Sequence, residues 1–162
     1  MPSTPANTLP TIIAPGMTAP DFTIDTQGRD PWSLAAALKK SDVVLCFFPF
    51  AFTGVCGVEM ECLSKEMLRW EQAGAAPVGV SCDSSPALNA WADRDGITAT
   101  MLSDIHRDVC TAYGLHWVEM NVAHRGTVII GQSDTGTGVV RWSQAREPRD
   151  GMDIEQVLEA LA

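Results

Sequence analysis

Membrane-spanning length, excess basic charge and clustered metal ligands are all absent from this sequence of 162 residues. No apolar stretch approaches the roughly 20 residues that cross a bilayer as a helix, so no membrane partner is expected. Lysine and arginine number 11 against 20 acidic residues, for a formal net charge of −9. That sign argues against nucleic-acid binding, which runs on phosphate neutralisation, and against an anionic membrane surface. The opening MPSTPANTLPT has neither the basic start nor the apolar core of a secretory signal. Residues 1–14 read as a flexible tail rich in Pro, Thr and Ser, ahead of a single domain over 15–162. Charged residues make up only 19% and hydrophobic ones 46%, the balance of a chain that folds around a core.

Metal-site and disulfide signatures are missing too. The three histidines, His106, His116 and His124, are scattered, and no short Cys/His pairs offer zinc-ligand spacing. No metal and no cofactor are expected. Five cysteines stand at 46, 56, 62, 82 and 110, an odd count without a C-x-x-C pair. A structural disulfide framework is therefore disfavoured, and a reducing cytoplasm is the expected setting.

What is present is concentrated between Val43 and Met67. An apolar run over 43–48 ends at Pro49, a short loop carries Thr53 and Gly54, and from Gly57 the pattern turns helical. The reading is strand, loop, helix, with Cys56 in the first helical turn. Free N–H groups and the positive end of the helix dipole favour an anion there, and the thiolate is the reactive form of cysteine. The competing reading of Cys56 as a small buried hydrophobe fits this placement less well.

Around that unit the chain alternates. Phe22, Ile24 and Thr26 followed by Gln27-Gly28 suggest an N-terminal hairpin. Ser33 caps a short helix over 34–40. The helix after Cys56 is expected to run to about Ala73 and to stop at Gly74. A buried strand follows over 76–81, then a helix over 86–94 opened by Ser84-Ser85-Pro86. Further expectations are a strand over 100–102, a helix from Ser103 or Asp104 to Tyr113, and a loop over 116–121. A strand over 125–130, a hairpin return over 139–142 and an amphipathic helix over 152–161 complete the chain. This order implies α/β layers around a mixed central sheet flanked by helices, with the Cys56 loop at the carboxyl end of a central strand.

The segment Pro49-Phe50-Ala51-Phe52-Thr53-Gly54-Val55-Cys56 resembles the P-x-x-x-T-x-x-C pattern of the peroxiredoxins. Gly16 to Phe22, Val80-Ser81-Cys82-Asp83-Ser84, Leu102-Ser103-Asp104, Ala112-Tyr113-Gly114 and Arg125-Gly126-Thr127 are similar to further landmarks of that family, in the same order. The phrase from Phe48 to Cys56, followed by Glu59, is most similar to the AhpE-like one-cysteine branch. The resemblance implies a thioredoxin-like fold, a peroxidatic thiol at Cys56, an active-site arginine at Arg125 and a homodimer.

The chemistry implied is thiolate attack on an O–O bond. Arg125 would direct its donors at sulfur and peroxide oxygen. Thr53 would accept from the peroxide and donate to the thiolate. Pro49 would shield the sulfur, and Glu59, three residues after Cys56, would orient Arg125. The resulting Cys–SOH must be reduced again. Cys62, six residues on, is the best internal candidate, but it faces away on a helix and departs from the family's spacing of five. Cys46 reads as core, and Cys82 and Cys110 match no resolving position. The expected partners are therefore a peroxide and an external reductant, either a low-molecular-weight thiol or a thioredoxin- or glutaredoxin-like protein. A disulfide oxidoreductase is disfavoured by Glu59 where C-x-x-C would need a second cysteine. A redox sensor without fast turnover is the remaining alternative.

Overall fold

The computed structural model describes residues 9–162. Its frame is a five-stranded sheet in the order β5-β4-β3-β8-β9. The central strand, β3 (Asp42–Phe47), pairs parallel with β4 (Ala75–Ser81) and antiparallel with β8 (Gly126–Ile130). Beyond them lie β5 (Met101–Ser103), parallel to β4, and β9 (Val140–Ala145), antiparallel to β8.

Successive side chains on β3 go to opposite faces. Val43, Leu45 and Phe47 enter one core, which also holds Leu34, Leu38, Val109, Cys110 and Tyr113. Val44, Cys46 and Phe48 enter the other, with Cys56, Met60, Trp70, Leu88, Trp91 and Val157. A strand covered on both faces explains why this stretch is apolar at every position.

The first core is closed by α1 (Leu34–Leu38) and α5 (Asp108–Ala112), the second by α2 (Gly54–Lys65), α3 (Met67–Gln72), α4 (Ser85–Asp95) and α6 (Ile154–Leu161). The expected hairpin is present as β1 (Thr23–Asp25) paired with β2 (Pro31–Ser33). Side-chain caps act where the sequence places hydroxyls and a carboxylate: Ser33 accepts from the Ala36 amide, Ser84 from Ala87 and Asp153 from Gln156. Asp104 caps α5 from a distance, accepting from the Val109 and Cys110 amides at 3.1 and 2.8 Å.

Three expectations change. The helix expected to run unbroken to about Ala73 is two helices, interrupted at Glu66. Near the break, the Ser64 hydroxyl donates to the Met60 carbonyl at 2.9 Å and accepts from the Thr98 and Ala99 amides, a bonding pattern that bends helices. The loop expected over 116–121 contains a small antiparallel pair, β6 (His116–Trp117) with β7 (Val122–Ala123). Of the tail expected over 1–14, residues 1–8 lie outside the described residues. Ile13 is buried and its amide donates to the Tyr113 carbonyl at 3.0 Å, so that end is anchored to the first core.

Gly79, on β4 beneath α2, has no room for a side chain. A Cβ there would lie 2.7 Å from Met60 Sδ and 3.1 Å from Phe48 Cε1. Gly79→Ala is expected to cost about 1–3 kcal/mol by overpacking, read as a lowered urea midpoint with unchanged slope. An unaltered midpoint would show that Met60 moves aside freely.

Candidate active site

Two local features bring Cys56 to the end of the central strand. β3 runs out through Phe48 into Pro49, which is buried and ends the ladder because it has no N–H. The loop then turns through Phe52, whose φ of 63° lies in the left-handed region, a conformation costing a non-glycine residue about 1 kcal/mol or more. The Phe52 ring is held under the Arg94 guanidinium at 4.8 Å, and the Ala51 amide donates to Asp83 Oδ2 at 2.9 Å. Thr53 is the N-cap residue of α2, and the first intrahelical bond runs from the Gly57 amide to its carbonyl. Cys56 is the third residue of the helix and fully buried.

Beside the sulfur lies a cluster of buried charge. Arg125, just before β8, donates from Nη2 to Cys56 Sγ at 3.2 Å, from Nη1 to Glu59 Oε2 at 2.8 Å and from Nε to the Pro148 carbonyl at 3.0 Å. Glu59 sits one turn after Cys56 on α2. Its second oxygen accepts from the Met152 amide at 2.8 Å and from Arg146 Nη2 at 3.4 Å. Arg146 further donates to Thr127 Oγ1 at 3.0 Å and to the Asp150 carbonyl at 3.3 Å. Glu59 and Arg125 are each 3% exposed and Arg146 is 8% exposed. Burial pulls the Arg146 guanidinium below its ordinary pKa, against the opposing effect of Glu59, yet arginine stays charged near neutrality. Both guanidinium groups share this one carboxylate, and Arg125 extends a further donor to the Cys56 sulfur.

Arg146 and Asp83 are site residues that sequence reasoning missed. Arg146 follows β9, beyond Trp142, where the returning strand was expected to end. The signal available was register: Gly126 faces Ala145 across β8 and β9, which sets 125 beside 146. Asp83 was legible only as part of the Val80–Ser84 family landmark, with no role at the site.

Thr53 does not take up the whole expected role. Its hydroxyl donates to the Phe50 carbonyl at 2.8 Å, so in this arrangement its oxygen can accept but has no proton to give to the sulfur. An open groove of about 410 Å³ runs past Phe52, Thr53, Gly54, Gly57 and Val58. Cys62 lies on the same unbroken helix as Cys56. At six residues it is displaced by about 9 Å along the axis, beyond disulfide reach. Burial, then Glu59, pushes the Cys46 thiol well above its ordinary range, which leaves it protonated. Cys82 and Cys110 belong to the core on the other side of the sheet from Cys56.

Residues 15–142 match the AhpC/TSA family. Alkyl hydroperoxide reductase E of Mycobacterium tuberculosis is 33% identical over 149 residues, covering 91% of this chain and 95% of that protein. Alkyl hydroperoxide reductase C of Buchnera aphidicola is 26% identical over 155 residues, covering 88% of this chain and 76% of that one. Among solved structures, Mycobacterium tuberculosis AhpC aligns with a TM-score of 0.82 at 24% identity, over 93% of this chain and 92% of its own. The reduced 2-Cys peroxiredoxin of Plasmodium vivax gives a TM-score of 0.82 at 24% identity, over 92% and 80%. At these identities the two structures speak to the fold, the mixed sheet between helical layers.

Glu59→Gln keeps the volume of the side chain but removes the carboxylate that two buried guanidinium groups share. It is expected to lose about 3–5 kcal/mol of stability, measured by urea unfolding of the reduced protein. A loss below 1 kcal/mol would mean that the two cations are balanced by something other than Glu59.

Proposed function

The chain belongs to the AhpC/TSA family of peroxiredoxins, thiol peroxidases on a thioredoxin-like α/β fold, and we propose that it works by a one-cysteine cycle centred on Cys56. The observation that carries this reading is the 3.2 Å contact between Arg125 Nη2 and Cys56 Sγ. The Cys56 thiolate attacks one oxygen of hydrogen peroxide or an organic hydroperoxide. The S–O bond forms as the O–O bond breaks, and the second oxygen leaves as water or alcohol after taking a proton. Charge passes from sulfur to the departing oxygen, so a fixed guanidinium in contact with the sulfur is placed to follow it. Arg125 fills that role, with Glu59 holding it in position. Thr53 accepts a hydrogen bond from the peroxide O–H, and Pro49 keeps bulk water from the sulfur.

The sulfenic acid is then reduced from outside, by a low-molecular-weight thiol or a thioredoxin- or glutaredoxin-like protein. Support comes from the other four cysteines. Cys62 is out of reach along the helix, Cys46 is a buried protonated thiol, and Cys82 and Cys110 lie across the sheet. Because Cys56 is fully buried, a reductant larger than peroxide needs the first turn of α2 to loosen. The proposal extends to a homodimer in a reducing cytoplasm. Val118, 72% exposed at the tip between β6 and β7, Met120 beside it and half-buried Trp117 form the surface a second copy would cover.

Stopped-flow mixing of the reduced protein with hydrogen peroxide is expected to show oxidation orders of magnitude faster than free cysteine. Cys56→Ser should abolish turnover, and Arg125→Ala should slow the oxidation step by roughly 10²–10³-fold. A wild-type rate in Arg125→Ala would remove that residue from the mechanism. After one equivalent of peroxide, mass spectrometry should find sulfenic acid on Cys56 alone. A Cys56–Cys62 linkage would overturn the external-reductant cycle.

A further inference from the structure

A second pair of thiols lies outside the site described above. Cys82, just past β4, and Cys110, in α5, place their sulfurs 3.9 Å apart inside the first core. The two are 6% and 0% exposed. Neither takes part in the Cys56 chemistry, from which they are separated by the sheet. We propose that Cys82 and Cys110 form a second dithiol/disulfide couple, closed by hydroperoxide independently of Cys56.

The geometry needs little adjustment. A disulfide requires the sulfurs at about 2.0 Å, so each must advance by about 1 Å, a displacement within reach of side-chain torsion. The two thiols also differ in their surroundings. Either sulfur can donate to the other, the Cys110 thiol also reaches the Arg107 carbonyl at 3.5 Å, and Cys82 is the less deeply buried of the two. In this couple Cys82, the sulfur nearer the surface, is the nucleophile and Cys110 the resolving thiol. The Cys82 thiolate attacks the hydroperoxide, an S–O bond forms, the O–O bond breaks and the alkoxide leaves as alcohol after protonation. The Cys110 sulfur then attacks Cys82, the S–O bond breaks, and the hydroxide departs as water with the Cys110 proton. Two thiols are oxidised by two electrons, and one peroxide is reduced.

Asp104 lies close enough for these three residues to surround a cation. Both of its oxygens, however, are engaged by the Val109 and Cys110 amides, so a metal would have to take the cap from α5. The couple also adjoins the peroxidatic loop through its support. Asp83, the residue after Cys82, is the one that accepts from the Ala51 amide.

The test uses the Cys56→Ser chain, which lacks the peroxidatic thiol, so its outcome does not depend on the cycle proposed for Cys56. Of the five cysteines, four remain. Reduced protein treated with excess hydrogen peroxide and then quenched is expected to fall from four free thiols to two. The Cys82 and Cys110 peptides should be joined and lighter by two hydrogens, and the change should reverse with dithiothreitol. In Cys56→Ser/Cys110→Ser the same treatment should leave a dimedone-trappable sulfenic acid on Cys82. Survival of both thiols, pairing of either with Cys62, or protection of the pair by stoichiometric bound zinc in the protein as purified would overturn the proposal.

Discussion

A single carboxylate holds the site together. Glu59 is buried between the guanidinium groups of Arg125 and Arg146, contacts the first at 2.8 Å and receives the Met152 amide at 2.8 Å. Moving three charges out of water costs several kcal/mol each unless they are paired and hydrogen-bonded. Here every partner is supplied by the chain: Arg125 and Arg146 share Glu59, and the remaining Arg125 amino group reaches the Cys56 sulfur at 3.2 Å.

The elements that meet around Glu59 are distant in sequence, which is why the sheet matters. β8 and β9 run antiparallel with Gly126 opposite Ala145, setting the two arginines side by side at one end of the sheet. β3 delivers the Pro49–Thr53 loop to the same end, and α2 carries both Cys56 and Glu59 on consecutive turns. The segment before α6 closes the cluster through the Pro148 and Asp150 carbonyls and the Met152 amide. Small residues at the crossing points, such as Gly79 under Met60, let α2 lie close to the strands. The position of the sulfur is thus a consequence of packing as much as of the loop sequence.

Much of this could be read in advance, for definable reasons. The two-sided apolar run of β3, the caps Ser33 and Ser84, and the stops at Gly74 and Gly96 are local signals, and the elements they mark form near the expected positions. Cys56, Glu59 and Arg125 were identifiable through helix placement and family pattern, and the structure brings all three into contact. What could not be read depends on tertiary partners. The break after Lys65 accompanies the bonding of Ser64 to a loop more than thirty residues away. The Thr53 hydroxyl is turned onto Phe50 rather than toward the sulfur. Arg146 becomes part of the site only through strand register, and Cys82 and Cys110, unremarkable in sequence, meet only when α5 packs on the sheet.

The cycle proposed above requires the Cys56 sulfur to react as a thiolate beside Arg125, whose Nη2 lies 3.2 Å from it. Thiolate absorbs in the ultraviolet where thiol does not, so the difference spectrum between reduced wild type and Cys56→Ser at neutral pH isolates the state of this one sulfur. The account predicts a difference equivalent to one thiolate per chain, lost on acidification. Superimposable spectra at neutral pH would mean that the sulfur carries its proton beside Arg125, and would contradict the account.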